Sequence, residues 1–187
     1  MTLDSLRARL SATPPFAAVR KAASALKPGQ TVRVRAAVGS SPAFVLADLL
    51  AHRGGPLVAL LPESESADYL RSDLEQILGS DDRVLFVPPT GVEPYDPEQL
   101  ADTLPLVQRA DALAHLRDGF AGIVVTSAEA VAERVPPPET VGTETLTVRV
   151  GDEVAPSALM DRLTGQGFEP VEFVSAPGEL ALRGGIL

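Results

Sequence analysis

The sequence predicts an α/β fold, a mostly parallel sheet with helices on both faces, followed by the start of a small α+β domain. Short apolar runs alternate with longer amphipathic stretches over residues 31–134. Short apolar runs are typical of buried strands, and longer amphipathic stretches are typical of helices. Strands that alternate with helices build parallel sheets covered by helices on both faces. After the prolines at 136–138 the pattern changes to polar–apolar alternation, which is typical of half-exposed strands.

Pro and Gly residues mark the boundaries of the predicted elements in the first part of the chain. Residues 2–26 form one or two helices broken at Pro14-Pro15, and KPGQ (27–30) forms a turn. Gly54-Gly55 ends the first helix of the alternating part. The predicted strands are 31–37, 56–61, 83–87 and 122–126, the helices between and after them are 41–53, 64–78, 99–118 and 127–134, and a proline-rich loop spans 88–98.

The second part begins after a domain boundary that we place near residue 143. It gives domains of 1–143 and 144–187. TLTVRV (145–150) predicts a half-exposed strand, and a helix follows with a proline near its first turn and glycines near its end.

The end of the second part predicts two strands joined by a turn. APGE (176–179) suits a type II turn, with Pro177 second and Gly178 third, between strands 169–175 and 180–186. The sequence stops on apolar residues inside a strand pattern, so we expect a fragment with an incomplete second domain.

Composition excludes several function classes. The net charge of −9 and the 4% of aromatic residues argue against direct binding of nucleic acid, which favours clustered basic and aromatic side chains. No apolar run approaches the ~20 residues of a membrane span. The opening MTLDSLRARL has no apolar h-region, so we expect no secretory signal. The lack of cysteine excludes disulfides and thiolate metal sites and fits a cytoplasmic protein.

The stretch AAVGSSPAFVLADLL (36–50) lies between a predicted strand and its helix, where a nucleotide-binding protein keeps its phosphate loop. Aligned on G-x-x-x-x-G-K-[ST], Ala36 and Ser41 replace the two glycines, Pro42 replaces the lysine and Ala43 replaces the magnesium-binding hydroxyl. Only Gly39 is typical of a loop. The chain therefore lacks the charge and the ligand that would hold a nucleotide and magnesium.

A structural interpretation explains the same residues. We predict that Ser41 is the N-cap of the helix, that Pro42 is its first residue and that Gly39 makes the tight turn before it. Gly39, Ser40, Ser41, Pro42 and Ala43 thus form a degenerate phosphate loop. Weak anion binding at the helix N-terminus stays an open alternative.

No other group of residues forms a convincing catalytic or metal site. We assign Asp152 to the start of the following helix rather than to a motor motif. His52 and His115 lack metal-ligand partners at suitable spacing and are interpreted as ordinary surface histidines. The acidic residues of 63–75 form a solvated helix face.

The order of segments resembles a known family. VGSSPAFVLADLL, PLVALLPESESADYLRSDLEQIL, VLFVPPTGVEPYDPEQL, GIVVTSAEAVAERVPPPE and the run from TLTVRVGDE to PGELALRGGIL are similar to the N-terminal region of bacterial transcription-repair coupling factors (Mfd). That region is itself similar to the excinuclease protein UvrB. The resemblance covers roughly residues 30–187, and the run RVGDE…PGE…RGGIL is its most specific part.

The resemblance implies a domain that has lost its chemistry. In UvrB the first domain carries a working phosphate loop and an aromatic hairpin that clamps DNA, whereas the coupling factor's version is degenerate. Segment 88–98 is short and has one aromatic residue, Tyr95, which leaves no room for such a hairpin. The resemblance implies that ATP, magnesium, translocation on DNA and contact with RNA polymerase belong to domains that this chain lacks.

The second domain of this family docks on the excinuclease protein UvrA, and a family arginine in its RGG or RGA strand takes part. That arginine matches Arg183. From the residues alone we favour a surface arginine paired with Glu179, which is worth little. With the resemblance we favour the contact, and both residues are candidates for partner binding. Because later contact residues lie beyond Leu187, we expect this chain by itself to bind UvrA weakly or not at all.

The predicted function is a non-catalytic module that recruits UvrA within a transcription-coupled repair factor. It carries no cofactor of its own, and its other partners are further domains of the parent protein. Two alternatives stay open. One is a nucleotide-binding motor fragment like UvrB, and the other is a structural domain that packs on its parent and masks the docking surface.

Overall fold

The computed structural model describes residues 2–91, 103–144, 146–176 and 178–187. The chain divides into two compact units, Met1–Val135 and Pro136–Leu187. The helices are α1 (Leu3–Ser11), α2 (Pro14–Ser24), α3 (Ser41–Arg53), α4 (Ser64–Leu78), α5 (Thr103–Arg117), α6 (Ala128–Ala132), α7 (Pro138–Glu144) and α8 (Pro156–Gly165). The strands are β1 (Leu57–Leu61), β2 (Val84–Val87), β3 (Ile123–Ser127), β4 (Glu169–Pro170) and β5 (Glu179–Leu180).

The first unit contains a parallel sheet in the order β1-β3-β2. The register places Ala59 and Phe86 on either side of Val125. Strand β3, at the centre, is buried along its whole length. Parallel strands that are covered on both faces are typically continuous apolar runs, as these are. Helices α3 and α4 cover one face, α5 covers the other, and the predicted fold class is confirmed.

Most of the core lies between the sheet and the helices α3 and α4. Leu74 is fully buried there, as are Ile123 and Val125. On α4, the side chains of Ala67, Leu70, Leu74, Ile77 and Leu78 are all buried or half-buried in this core. A smaller cluster on the opposite face includes Val87, Val124 and Ala112.

A buried carboxylate ties the N-terminal helices to α3. Asp48 on α3 accepts hydrogen bonds from Ser11 Oγ at 2.6 Å and from Arg20 Nη1 at 2.7 Å. A buried carboxylate needs such partners because ionised groups are costly to remove from water. The break at Pro14 separates α1 from α2, so each of these helices places a polar side chain on the same carboxylate.

The expected strand at 31–37 is wrong. Among the described residues no strand pairs with this segment, and every residue of 31–40 is exposed. Polar–apolar alternation forms a strand only where a neighbouring backbone can complete its hydrogen bonds. Strand β1 lies at the sheet edge, and its residues Val58 and Leu60 are exposed.

Three expectations for the second unit are corrected. No strand forms over the described part of 145–150, and the expected strands 169–175 and 180–186 shrink to β4 and β5. The prolines at 136–138 mark the end of the first unit, as expected, and α7 begins at Pro138. Proline is favoured at the first position of a helix, where its missing N–H is not needed. The expected helix is confirmed as α8.

Two of the expected turns lie wholly or mostly within the described residues. Gln30 N donates to Lys27 O at 3.0 Å, which confirms the turn at 27–30. Glu179 N donates to Ala176 O at 3.2 Å and Gly178 has φ +94°, as the turn expected at 176–179 requires. Residues 92–98 of the expected proline-rich loop, with Tyr95, and also Pro177 lie outside the described residues.

Candidate functional site

The phosphate-loop-like stretch of the first unit forms a tight turn into α3. Gly39 has φ +54°, and Ser41 Oγ donates to Val38 O at 2.7 Å across the turn. Our assignment of Ser41 as N-cap is wrong by one residue, because α3 begins at Ser41 and Ser40 is its N-cap. The hydroxyl of Ser41 is used to close the turn and therefore does not cap the helix. Pro42 accordingly follows the first helical residue.

The surroundings of this turn are apolar. Ala43, at the place of the magnesium-binding hydroxyl, is fully buried in the core. Pro42 borders an open cavity of about 270 Å³, shared with Val34 and Leu61, and among the described residues that cavity has an apolar lining throughout. This lining offers no charged side chain to an anion. Pro42 and Ala43 are therefore packed against apolar side chains of the first unit.

A second feature of the first unit is the buried Arg109, which sequence reasoning missed. Its Nη1 donates to Pro88 O and its Nη2 to Ala130 O, each at 3.0 Å. Glu133 Oε2 lies 3.6 Å from Nη1, and Glu133 Oε1 accepts a hydrogen bond from Thr90 N at 2.8 Å. These contacts join the residues after β2 to those after β3.

Arg109 lies at the carboxyl ends of parallel strands, where α/β proteins commonly bind ligands. Here its donors are directed to main-chain oxygens of its own unit. Together with Val87 and Thr126 it borders an open cavity of about 220 Å³. We interpret Arg109 as a structural brace. In the sequence, the one sign of this role is that Arg109 is a charged residue on an otherwise apolar side of α5.

In the second unit, Arg183 follows β5 and opens a tight turn. Its N–H donates to Ile186 O at 3.0 Å, and Ile186 N donates back to Arg183 O at 3.1 Å. The turn between them is Gly184-Gly185, and Gly184 has φ +61°, a conformation that glycine adopts at little cost. Directly paired residues place their side chains on one face, so Arg183 and Ile186 share a face.

The side chain of Arg183 lies against an exposed aromatic ring. Its guanidinium carbon is 4.1 Å from the centre of the Phe173 ring, and its Nη2 donates to Glu172 Oε1 at 3.3 Å. The Arg183 side chain is nevertheless 61% exposed, while Leu180 of β5 is buried. The ring and the carboxylate therefore hold the guanidinium at the surface, with donors left for a partner.

Glu179 does not pair with Arg183. Its Oε2 accepts hydrogen bonds from Ser175 N at 2.6 Å, Ser175 Oγ at 2.9 Å and Ala176 N at 3.0 Å. The Ser175 N–H, the Ala176 N–H and the Ser175 hydroxyl hold the pKa of the Glu179 carboxyl below its usual value. This carboxylate shapes the 175–179 turn, and the acidic partner of Arg183 is Glu172.

The remaining candidates take ordinary structural positions. Asp152 does not cap α8, whose N-cap is Ala155; its Oδ2 instead accepts a hydrogen bond from Arg149 N at 2.8 Å. His52 and His115 are largely exposed, each with Nδ1 near the carbonyl four residues earlier in its helix. Among the described residues, no group of three His, Cys, Asp or Glu side chains is placed to hold a metal ion.

The chain combines an α/β unit, whose turn into α3 has Pro42 and Ala43 at the lysine and hydroxyl positions of a phosphate loop, with a unit that presents an exposed arginine. The chain is 33% identical to the transcription-repair-coupling factor of Myxococcus xanthus over 180 residues, which is 92% of this chain. The factors of Bacillus subtilis and Escherichia coli are 30% and 24% identical over 80% and 87% of this chain. No family model matches the chain.

The chain is thus related to the transcription-repair-coupling factors over most of its own length, and the family resemblance is confirmed. It spans only 12–15% of the length of these relatives. The names of these relatives refer to the coupling of repair to transcription. Within the described residues, no helix combines the length and the apolar character needed to cross a bilayer.

Proposed function

We propose that the chain is a non-catalytic region of a transcription-coupled nucleotide excision repair factor, and that its second unit docks on UvrA. In the whole factor, this docking would bring repair proteins to a stalled RNA polymerase. ATP hydrolysis and movement along DNA would belong to other parts of the parent. The proposal locates the parent in the cytoplasm, where its nucleic-acid substrates are.

The observation that carries the proposal is the exposed position of Arg183. An arginine that is fixed by a stacked ring and keeps free donors is suited to bind a carboxylate of a partner. Its position in the RGG turn is the one that the family resemblance assigns to the contact. The apolar surroundings of Pro42 and Ala43 support the non-catalytic part of the proposal.

The test is a binding measurement with purified UvrA. The polypeptide is expressed from the complete reading frame, with and without Arg183→Glu. We expect the substitution to weaken binding at least ~10-fold, because arginine contacts at interfaces are often worth more than 1 kcal/mol. Equal affinity of the two proteins would remove Arg183 from the interface.

The nucleotide-binding alternative is tested by calorimetry of the 187-residue chain with ATP and magnesium. We expect no binding tighter than ~1 mM, which corresponds to about −4 kcal/mol. Tighter binding would overturn the interpretation of residues 36–43 as degenerate.

A structural role is a second candidate, because the open edge of β1 favours it. Val58 and Leu60 are exposed there, although their strand belongs to the main sheet. Exposed apolar residues at a sheet edge are typical of a surface that another segment covers. Limited proteolysis of the whole parent and of this chain would show whether the parent protects this edge.

A further inference from the structure

We propose that Phe173 and Arg183 act as one binding element for UvrA, and that Glu172 occupies the arginine until the partner replaces it. This inference rests on the proposed function and deepens it. It adds an aromatic contact residue and a competing intramolecular carboxylate, which the sequence analysis did not identify.

The first support is the exposure of Phe173. The side chain is 67% exposed, although a ring of this size gains much free energy when it is buried. Its neighbour Val174 is exposed as well, and so is Ile186, which shares a face with Arg183. Aromatic and arginine side chains are enriched among the residues that dominate binding energy at interfaces.

The second support is the geometry of the pair. A distance of 4.1 Å from the guanidinium carbon to the ring centre is well within the range of a cation–π contact. The ring thus orients the planar guanidinium before any partner arrives. Ordering that is already present in the free protein reduces the entropy lost on binding.

The third support is the position of Glu172. Its Oε1 is 3.3 Å from Arg183 Nη2, and the two side chains are 82% and 61% exposed. Such an exposed pair contributes little to stability. It does show that a carboxylate fits beside the guanidinium while the ring remains stacked. A carboxylate of the partner, flanked by apolar groups that cover Phe173, would therefore be the complementary surface.

The test uses the polypeptide from the complete reading frame and purified UvrA. We expect Phe173→Ala to weaken binding ~10-fold, because the anchor and the orientation of Arg183 are both lost. Phe173→Leu keeps apolar bulk without the ring and should fall between the wild type and Phe173→Ala. Glu172→Gln should strengthen binding about threefold, because the competing charge is removed.

Tyr69→Ala is the matched control. Tyr69 lies on α4 in the other unit and is 68% exposed, almost as much as Phe173. We expect its replacement to leave affinity unchanged. An equal loss in Tyr69→Ala and Phe173→Ala would contradict the inference, because the effect would then be common to any exposed aromatic residue.

The outcomes separate this inference from the proposed function. Failure of the wild type to bind, or equal binding by Arg183→Glu, rejects the proposed function. If Arg183→Glu binds weakly but Phe173→Ala binds as the wild type does, only the binding element is rejected. Should Phe173→Ala disturb the amide spectrum of the second unit, Glu172→Gln decides: tighter binding supports the element, and equal or weaker binding overturns it.

Discussion

Arg109 in the first unit and Arg183 in the second are both held by neighbouring groups, but the two side chains lie in opposite environments. Arg109 is 6% exposed and donates to two main-chain oxygens. Arg183 is stacked on a ring at the surface, where its ion pair with Glu172 is exposed. A buried guanidinium contributes to the stability of the fold, because its loss would leave oxygens without partners. An exposed one contributes little to stability and is available for recognition.

The largest effect is expected in the main core of the first unit. Leu74→Ala should lower the free energy of unfolding of this unit by about 3 kcal/mol, since Leu74 is fully buried between helix and sheet. Leu60→Ala is the control with the same atoms removed from an exposed strand position, and it should cost less than about 1 kcal/mol. Urea denaturation followed by circular dichroism measures both. Similar costs for the two variants would refute the assigned core.

The next effect tests the arginine comparison itself. Arg109→Met keeps an apolar stem of similar length but removes both donors, so we expect a loss of about 2–3 kcal/mol from the two unsatisfied oxygens. Arg183→Met should change stability by less than about 0.5 kcal/mol, as exposed substitutions usually do. Thermal unfolding of both variants checks this. An Arg109→Met protein as stable as the wild type would show that Arg109 is not a brace.

The smallest effect concerns the turn that precedes Arg183. Because the folded pKa of Glu179 lies below its unfolded value, its hydrogen bonds stabilise the turn above the ordinary glutamate pKa of about 4.3 and are lost as the pH falls further. The amide resonances of Ser175 and Ala176 should therefore shift together on acidification. In Glu179→Gln they should no longer follow this titration. Shifts that persist in the variant would assign the titration to another group.

Sequence patterns predicted those parts of the fold that depend on local information. The runs that became β1, β2 and β3 are apolar along their length, which is sufficient to identify buried strands. Segment 31–37 begins with polar–apolar alternation, which is also typical of strands. A strand there needs a neighbouring backbone to pair with, and a local sequence pattern does not show whether one is present. The same limit explains why the strand expected at 145–150 is wrong.

The structural surroundings of the candidate residues could be predicted only in part. Alignment on the phosphate-loop pattern identified the turn before α3, and the structure adds that Ala43 is buried in the core. Arg183 was identified through the family resemblance, whereas its partners were not. Glu179 is closer in sequence than Glu172, but its carboxylate is already used by the 175–179 turn. The spacing of residues in the sequence does not reveal tertiary contacts of this kind, including those of Arg109.

The central claim is that UvrA binds to the second unit and does not bind at the phosphate-loop-like turn before α3. It is tested most directly by one affinity measurement for UvrA on three forms of the complete polypeptide: wild type, Arg183→Glu and Pro42→Glu. The account predicts that Arg183→Glu binds at least ~10-fold more weakly while Pro42→Glu binds as the wild type does. Loss of binding in Pro42→Glu with an unchanged Arg183→Glu would contradict it.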